Sequence, residues 1–374
     1  MANTMSLFPH PQVQVRGIER LAQEADSLLE KPNAEYLSLE VRSVLNRCSS
    51  PRMPFTWTIN PYRGCEFGCR YCYARYTHEF MGLNRWEEFE QKIYVKKDAA
   101  RILVRELTPE RLSGQSIALG TATDPYQPAE RRFRVTRSLL EVMAMARDLR
   151  LSITTKSDLV TRDIDLLRRI AGRSSVQVNI TVTTLDRRLA RILEFRAPTP
   201  ELRLRALRTL RHEGITAGIN IAPIMPEITD SRENLEAVIA AARGHDATHV
   251  YANVLFLKPS AQQAFFPFLA RHFPHLQKRY ANLFARSAFL DRRYKDRVFG
   301  MVSELKEKYG FAHRPELDPP APIHESEAKQ LPLLQINLPA TSLLSLDPAP
   351  TAITPQRAGR DQTSRKGNYQ RCPS

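Results

Sequence analysis

Between residues 55 and 256 the hydrophobic pattern changes period again and again. Short apolar runs predict strands: FTWTI (55–59), SIALG (116–120), LSITT (151–155), VQVNITVTT (176–184), ITAGINIAPI (215–224) and THVYANVLF (248–256). Between them, apolar positions recurring every three to four residues predict helices over 97–107, 136–149, 162–171, 199–213 and 231–244. The fourth opens at Thr199-Pro200, where proline suits a first helical turn. Strands separated mostly by helices are the pattern of a parallel α/β sheet with right-handed crossovers. Six such units build an open doubly wound sheet or an incomplete barrel.

The flanks read differently. Residues 1–50 form a polar lead with helical pieces, GIERLAQEADSLLE (17–30) and LEVRSVLNR (39–47). Residues 262–309 are largely helical, and the aromatic stripes of FFPFLARHF and YANLFARSAFL suit a cap packed on the last strand. From Pro319 the chain is Pro-rich without periodicity, which predicts a disordered tail, with LPLLQINL as a short docking motif. The expected divisions are a lead (1–50), a core (51–260), a helical extension (261–317) and the tail (318–374).

Composition narrows the class. The 374 residues are 42% apolar and 25% charged, as in soluble globular proteins. The start lacks the apolar core of a signal peptide, and no uncharged apolar run is long enough to span a bilayer, so no membrane role and a cytoplasmic location are expected. The formal charge is +15, of which residues 318–374 carry +1 (six basic, five acidic). A basic body of about +14 suggests an anionic partner, and nucleic acid is the commonest large one.

The candidate chemistry lies in NPYRGCEFGCRYCYARYTHEF (60–80), which holds three of the five cysteines. An odd count with three clustered does not suit a disulfide scaffold. Cys65, Cys69 and Cys72 would share one face of a helix, but Gly64 and Gly68 favour a loop curled round something. Three converging thiolates repel one another unless a cation neutralises them, so a metal centre is expected. Zinc would need a fourth ligand, with His78 or Cys48 as candidates. A [4Fe–4S] cluster would take three cysteines and leave one iron open. Arg63, Arg70 and Arg75 flank the cysteines and would offset residual negative charge.

C-x3-C-x2-C with Tyr71 just before the last cysteine resembles the signature of radical S-adenosylmethionine enzymes. Within that superfamily, this segment together with GTATDPYQPAE, TKSDLVTRDIDLL and LEFRAPTPELRLRAL resembles the spore photoproduct lyase-like, DNA repair photolyase-like group over about residues 40–310. The resemblance implies a partial (β/α)6 TIM-like barrel with its chemistry at the C-terminal ends of the strands. It implies a [4Fe–4S] cluster on Cys65, Cys69 and Cys72, and S-adenosylmethionine cleaved to a 5′-deoxyadenosyl radical that abstracts hydrogen. An electron donor would reduce the cluster. Tyr71, Thr123, Asp124, Lys156, Asn179 and Thr181 are the implied cofactor contacts. Glu194 and Arg196 are expected to pair ahead of Pro198.

The lyases return hydrogen from a cysteine that would fall nearest Thr121, and no cysteine lies between Cys72 and Cys372. A threonine O–H is too strong to replace that S–H. Tyr73, beside the cluster, is the remaining candidate catalytic relay. The expected function is therefore radical chemistry on nucleic acid. The alternatives are radical chemistry on a protein, peptide or metabolite, and a non-enzymatic metal-binding module.

Overall fold

The computed structural model describes residues 17–48, 53–108 and 115–311. The tail with its LPLLQINL segment, and Cys372, lie outside the described residues. Along the chain run β1 (Ser27–Lys31), β2 (Ala34–Ser38), β3 (Asn46–Arg47), β4 (Trp57–Ile59), β5 (Tyr62–Arg63), β6 (Lys92–Val95), β7 (Ser116–Leu119), β8 (Arg150–Thr155), β9 (Ser175–Thr181), β10 (Thr216–Ile224) and β11 (Val250–Val254). Strands β4, β7, β8, β9, β10 and β11 lie side by side in chain order, every pair parallel. They are the six strands that the apolar runs predict. The short β3 closes the edge antiparallel to β4.

Helices Ala99–Glu106, Val135–Met143, Ile164–Ala171, Pro200–His212 and Arg232–Gly244 occupy the crossovers, as their periodicity predicts. Each buries one apolar stripe, such as Leu166, Leu167 and Ile170, or Leu235, Val238 and Ile239. The result is the α/β partial barrel expected from the sequence. In β9, alternation puts Val176, Val178 and Ile180 on one face and Gln177, Asn179 and Thr181 on the other. The polar face forms a layer inside the barrel. There Asn179 donates to Ser152 Oγ at 2.9 Å and its Oδ1 lies 2.8 Å from Gln177 Nε2 and 2.9 Å from His249 Nε2. Gly218 makes room for this layer, since a Cβ there would stand 2.2 Å from the His249 carbonyl oxygen.

The N-terminal lead departs from its helical reading. Among the described residues of the lead, only Ile18–Gln23 is helical. Pro32-Asn33 then turns the chain, and β1 and β2 form an antiparallel pair. Strand β2 continues parallel to β6, which pairs with β5, so residues 27–38 share a sheet with the segment that flanks the cysteines. The second expected helix, 39–47, is an irregular segment ending in β3. The amides of Val44 and Leu45 both donate to the Glu106 carboxylate, at 2.9 and 3.1 Å, in place of helical partners. At the other end, Pro259–His272, Gln277–Leu283 and Arg292–Lys308 form the helical cap. Phe265, Phe268, Tyr280 and Phe284 are buried core, as their stripes predict. Among the described residues, no helix is long and apolar enough to cross a membrane.

Candidate active site

The chain leaves β4 and curls immediately. Gly64 (φ +81°) and Gly68 (φ +63°) take left-handed conformations. A Cβ on Gly64 would lie 2.6 Å from the Lys92 carbonyl oxygen, and one on Gly68 2.5 Å from the Phe195 ring. Only glycine fits either place. The curl is clamped from several sides. Cys65 N–H donates to the Phe89 carbonyl at 2.9 Å, and Arg70 N–H to that of Leu193 at 3.0 Å. Arg75 donates to the Cys69 carbonyl at 2.9 Å and to Glu90 at 2.5 Å. After β7, Thr123 Oγ1 and Gln127 Nε2 donate to the Gly64 carbonyl, at 2.6 and 3.0 Å.

Cys65 and Cys69 are buried and Cys72 is half-buried, all three as free thiols. Burial pushes the Cys65 thiol well up, with Asp124 and the neighbouring sulfurs adding to it. Burial raises Cys69 to about 12 even though Lys156 opposes it. Such thiols ionise only when a cation is bound beside them. Among the described residues, no three His, Cys, Asp or Glu side chains are grouped as ligands of one metal ion. The fit to an iron–sulfur cluster therefore rests on the donor set, three soft sulfurs on a rigid buried loop, and that set suits it.

The zinc alternatives find no support in the arrangement. His78 Nε2 is bonded to the Lys92 carbonyl at 3.1 Å, and its ring packs on Phe89 and Tyr94. Cys48 pairs with Thr56 just before β4, at the opposite end of that strand from the cysteine loop. The flanking arginines also do other work. Arg75 is 2% exposed and tethers backbone, Arg63 reaches the Thr77 carbonyl, and Arg70 lies over Phe195 and Trp86. The cation whose charge acts most on Cys69 is Lys156.

Tyr71 and Lys156 act on the Glu194 carboxylate, whose partner is not the Arg196 expected from the sequence. Tyr71 OH donates to Glu194, and Glu194 is held by Arg203 at 2.5 Å, not by Arg196. Arg196 reaches the Glu66 carbonyl instead. Arg203 also donates to the Thr181 carbonyl at 3.0 Å and that of Pro198 at 2.8 Å. Burial raises Glu194, but Arg203, Lys156 and Tyr71 together hold it below the usual carboxylate range. Lys156 Nζ lies 5.7 Å from the Tyr71 ring centre. A signal for Arg203 exists in the sequence, because it falls on the stripe of Ala206, Leu207 and Leu210, where a charge needs a buried partner.

The remaining candidates divide. Asp124 accepts from Thr155 Oγ1, Tyr126 N–H and Lys156 N–H at 2.6 to 2.9 Å, which leaves about one of a carboxylate's four acceptor positions. Thr123 spends its hydroxyl on Gly64, so it positions the loop. Asn179 is committed to the polar layer described above. Tyr73, 37% exposed, donates its hydroxyl to the Thr121 carbonyl, which brings these two residues together beside Cys72. Thr121 Oγ1 in turn accepts from Asn60 at 3.2 Å.

A three-cysteine loop at the C-terminal end of the first parallel strand defines the class. The family model described as Radical SAM superfamily matches residues 59–238, from the end of β4 into the helix Arg232–Gly244. The chain belongs to this superfamily: it is a radical S-adenosylmethionine enzyme whose cofactors are a [4Fe–4S] cluster and S-adenosylmethionine. It is 36% identical over 295 residues to an uncharacterized protein of Mycobacterium tuberculosis (strain ATCC 25618 / H37Rv), covering 78% of this chain and 85% of that one. An uncharacterized protein of Methanocaldococcus jannaschii is 27% identical over 274 residues, 72% of this chain and 94% of the other. Among solved structures, a spore photoproduct lyase mutant with bound AdoMet and dinucleoside spore photoproduct superposes with a TM-score of 0.52 at 16% identity, over 79% of this chain and 85% of that one. At that identity the likeness speaks for the fold.

Proposed function

We propose that this enzyme abstracts hydrogen from a nucleic acid, with Cys65, Cys69 and Cys72 holding the cluster. The observation that carries the reading is the clamped cysteine loop, on which burial keeps the Cys65 and Cys69 thiols neutral until a cation binds. When bound, the cluster and S-adenosylmethionine supply a 5′-deoxyadenosyl radical. The chain's own residues bind and shield. Lys156 offsets negative charge beside Cys69. Asp124 keeps one acceptor position for the cofactor's ammonium, and Tyr71 is fixed by Glu194 at the edge of the site. Thr123 and Asn179 act at one remove, by holding the loop and the barrel floor. Tyr73 holds a hydrogen at Oη beside Thr121, and a phenolic O–H is weak enough to pass it on.

Nucleic acid is favoured by the +15 charge and by the substrate in the lyase structure of the same fold. An electron donor completes the system. Cysteines without disulfide partners, three of them holding an oxygen-sensitive cluster, favour the reducing cytoplasm. The test is deuterium transfer into 5′-deoxyadenosine. A deuterated oligonucleotide pool should label it under strong reductant. Labelling only from peptide or metabolite pools would refute the nucleic-acid reading and favour the alternative substrates.

A further inference from the structure

Beside Cys72, two further rings continue outward from Tyr73 along the surface, Phe256 and then Phe289. Tyr73 packs on Phe256 with centroids 5.0 Å apart, and Phe256 stacks on Phe289 at 5.4 Å and 23°. Phe289 is 50% exposed. Backbone fixes the outer pair, for Phe256 and Phe289 form an antiparallel bridge and Leu257 N–H donates to the Ala288 carbonyl at 2.8 Å. Cations border the run. Lys295 Nζ lies 5.6 Å from the Phe289 ring centre and Lys258 Nζ 3.6 Å from that of Tyr76. Five basic residues between 286 and 297 stand against Asp291 and Asp296, a net +3.

A purely apolar partner would not call for that charge. Two exposed rings, Tyr73 and Phe289, joined through Phe256 and bordered by lysines, match what unpaired nucleic acid needs, ring faces for bases and cations for phosphates. In a duplex the base faces are already covered by their neighbours. We propose that Tyr73, Phe256 and Phe289 form a stacking platform that leads an unpaired base of single-stranded nucleic acid to the cysteine loop, with Lys258 and Lys295 taking adjoining phosphates. This rests on the nucleic-acid reading and names the form of substrate and the residues that receive it. An exposed cation–π contact is weaker than base stacking on the same ring. An arriving base therefore displaces Lys295 towards the phosphate.

The test is fluorescence anisotropy of the anaerobic holoenzyme with a short labelled oligothymidylate, its duplex and a labelled polyglutamate. Phe289→Ala and Phe289→Leu should each weaken single-strand binding by about 5- to 150-fold. Phe289→Trp should retain binding and show added tryptophan quenching, which a merely structural ring would not. Lys295→Gln should flatten the logarithmic salt slope by roughly 0.7. If the single strand binds but both Phe289 truncations leave its affinity unchanged, the platform is wrong and the nucleic-acid reading stands. Equal affinity for duplex or polyglutamate would mean a general anion surface and overturn the platform too. If no nucleic acid binds at low salt, both fall together.

Discussion

Arg203→Met should expose how much the buried ion pair behind Tyr71 contributes. Both side chains are sealed, Arg203 at 1% and Glu194 at 0% exposure. Removing one partner of such a pair usually costs about 3–5 kcal/mol, because the other charge stays buried. A ceiling follows from chemistry. At pH 7 the stranded carboxylate escapes by taking a proton, which costs about 4 kcal/mol from an ordinary pKa near 4.3. Losing the donors to the Thr181 and Pro198 carbonyls adds roughly 1 kcal/mol each, less any water that replaces them. A loss of about 4–6 kcal/mol at pH 7 is expected, the lower end where water replaces both donors.

The sign with pH is diagnostic. In the native protein Glu194 is held below its usual range, so its contribution is present above the unfolded pKa and fades as pH falls through the folded one. In Arg203→Met the folded pKa is raised instead. The penalty should then shrink by about 1.4 kcal/mol per unit as pH falls from 7 to 6. Urea unfolding followed by circular dichroism at both pH values measures this. Glu194→Gln combined with Arg203→Met should recover much of the loss. A loss under about 1 kcal/mol, or an equal loss at both pH values, would refute the buried-pair account.

Two further outcomes follow. Gly64→Ala should lower both thermal stability and iron uptake, since its Cβ meets two backbone carbonyls and the left-handed conformation alone costs roughly 1–2 kcal/mol; an unchanged melting temperature would contradict the clamped curl. Burial holds His249 down at about 4, so the unfolded chain takes up its proton first as pH falls from about 6.5 to about 4. This group should remove up to about 3 kcal/mol of stability across that window, and His249→Gln should flatten the decline, as urea midpoints will show.

Much of this architecture is legible in the chain. The six parallel strands follow from short runs without charge because parallel strands are buried on both faces, even where, as in β9, apolar residues alternate with uncharged polar ones. The cysteine curl is legible because glycines at 64 and 68 break the helical spacing of the cysteines, although the close approaches of Lys92 and Phe195 that demand them are visible only in the fold. The N-terminal hairpin is not, since β1 is largely exposed and β2 is buried only through its pairing with β6, some sixty residues on. The partner of Glu194 is hidden from the sequence for a similar reason. Arg196 is near in sequence, but the helix Pro200–His212 carries Arg203 inward while Arg196 turns to the Glu66 carbonyl. Asn179 lies on the interior face as alternation predicts, yet its hydrogen bonds depend on His249, seventy residues away.

The central claim is that three cysteines on one loop hold a cluster with an open position for S-adenosylmethionine. Anaerobic reconstitution with iron and sulfide, followed by strong reductant, tests it most directly. About four irons per chain are expected, with 5′-deoxyadenosine formed, and Cys69→Ala should lose both together. Tight zinc with no iron uptake, or cofactor cleavage that survives Cys69→Ala, would contradict it.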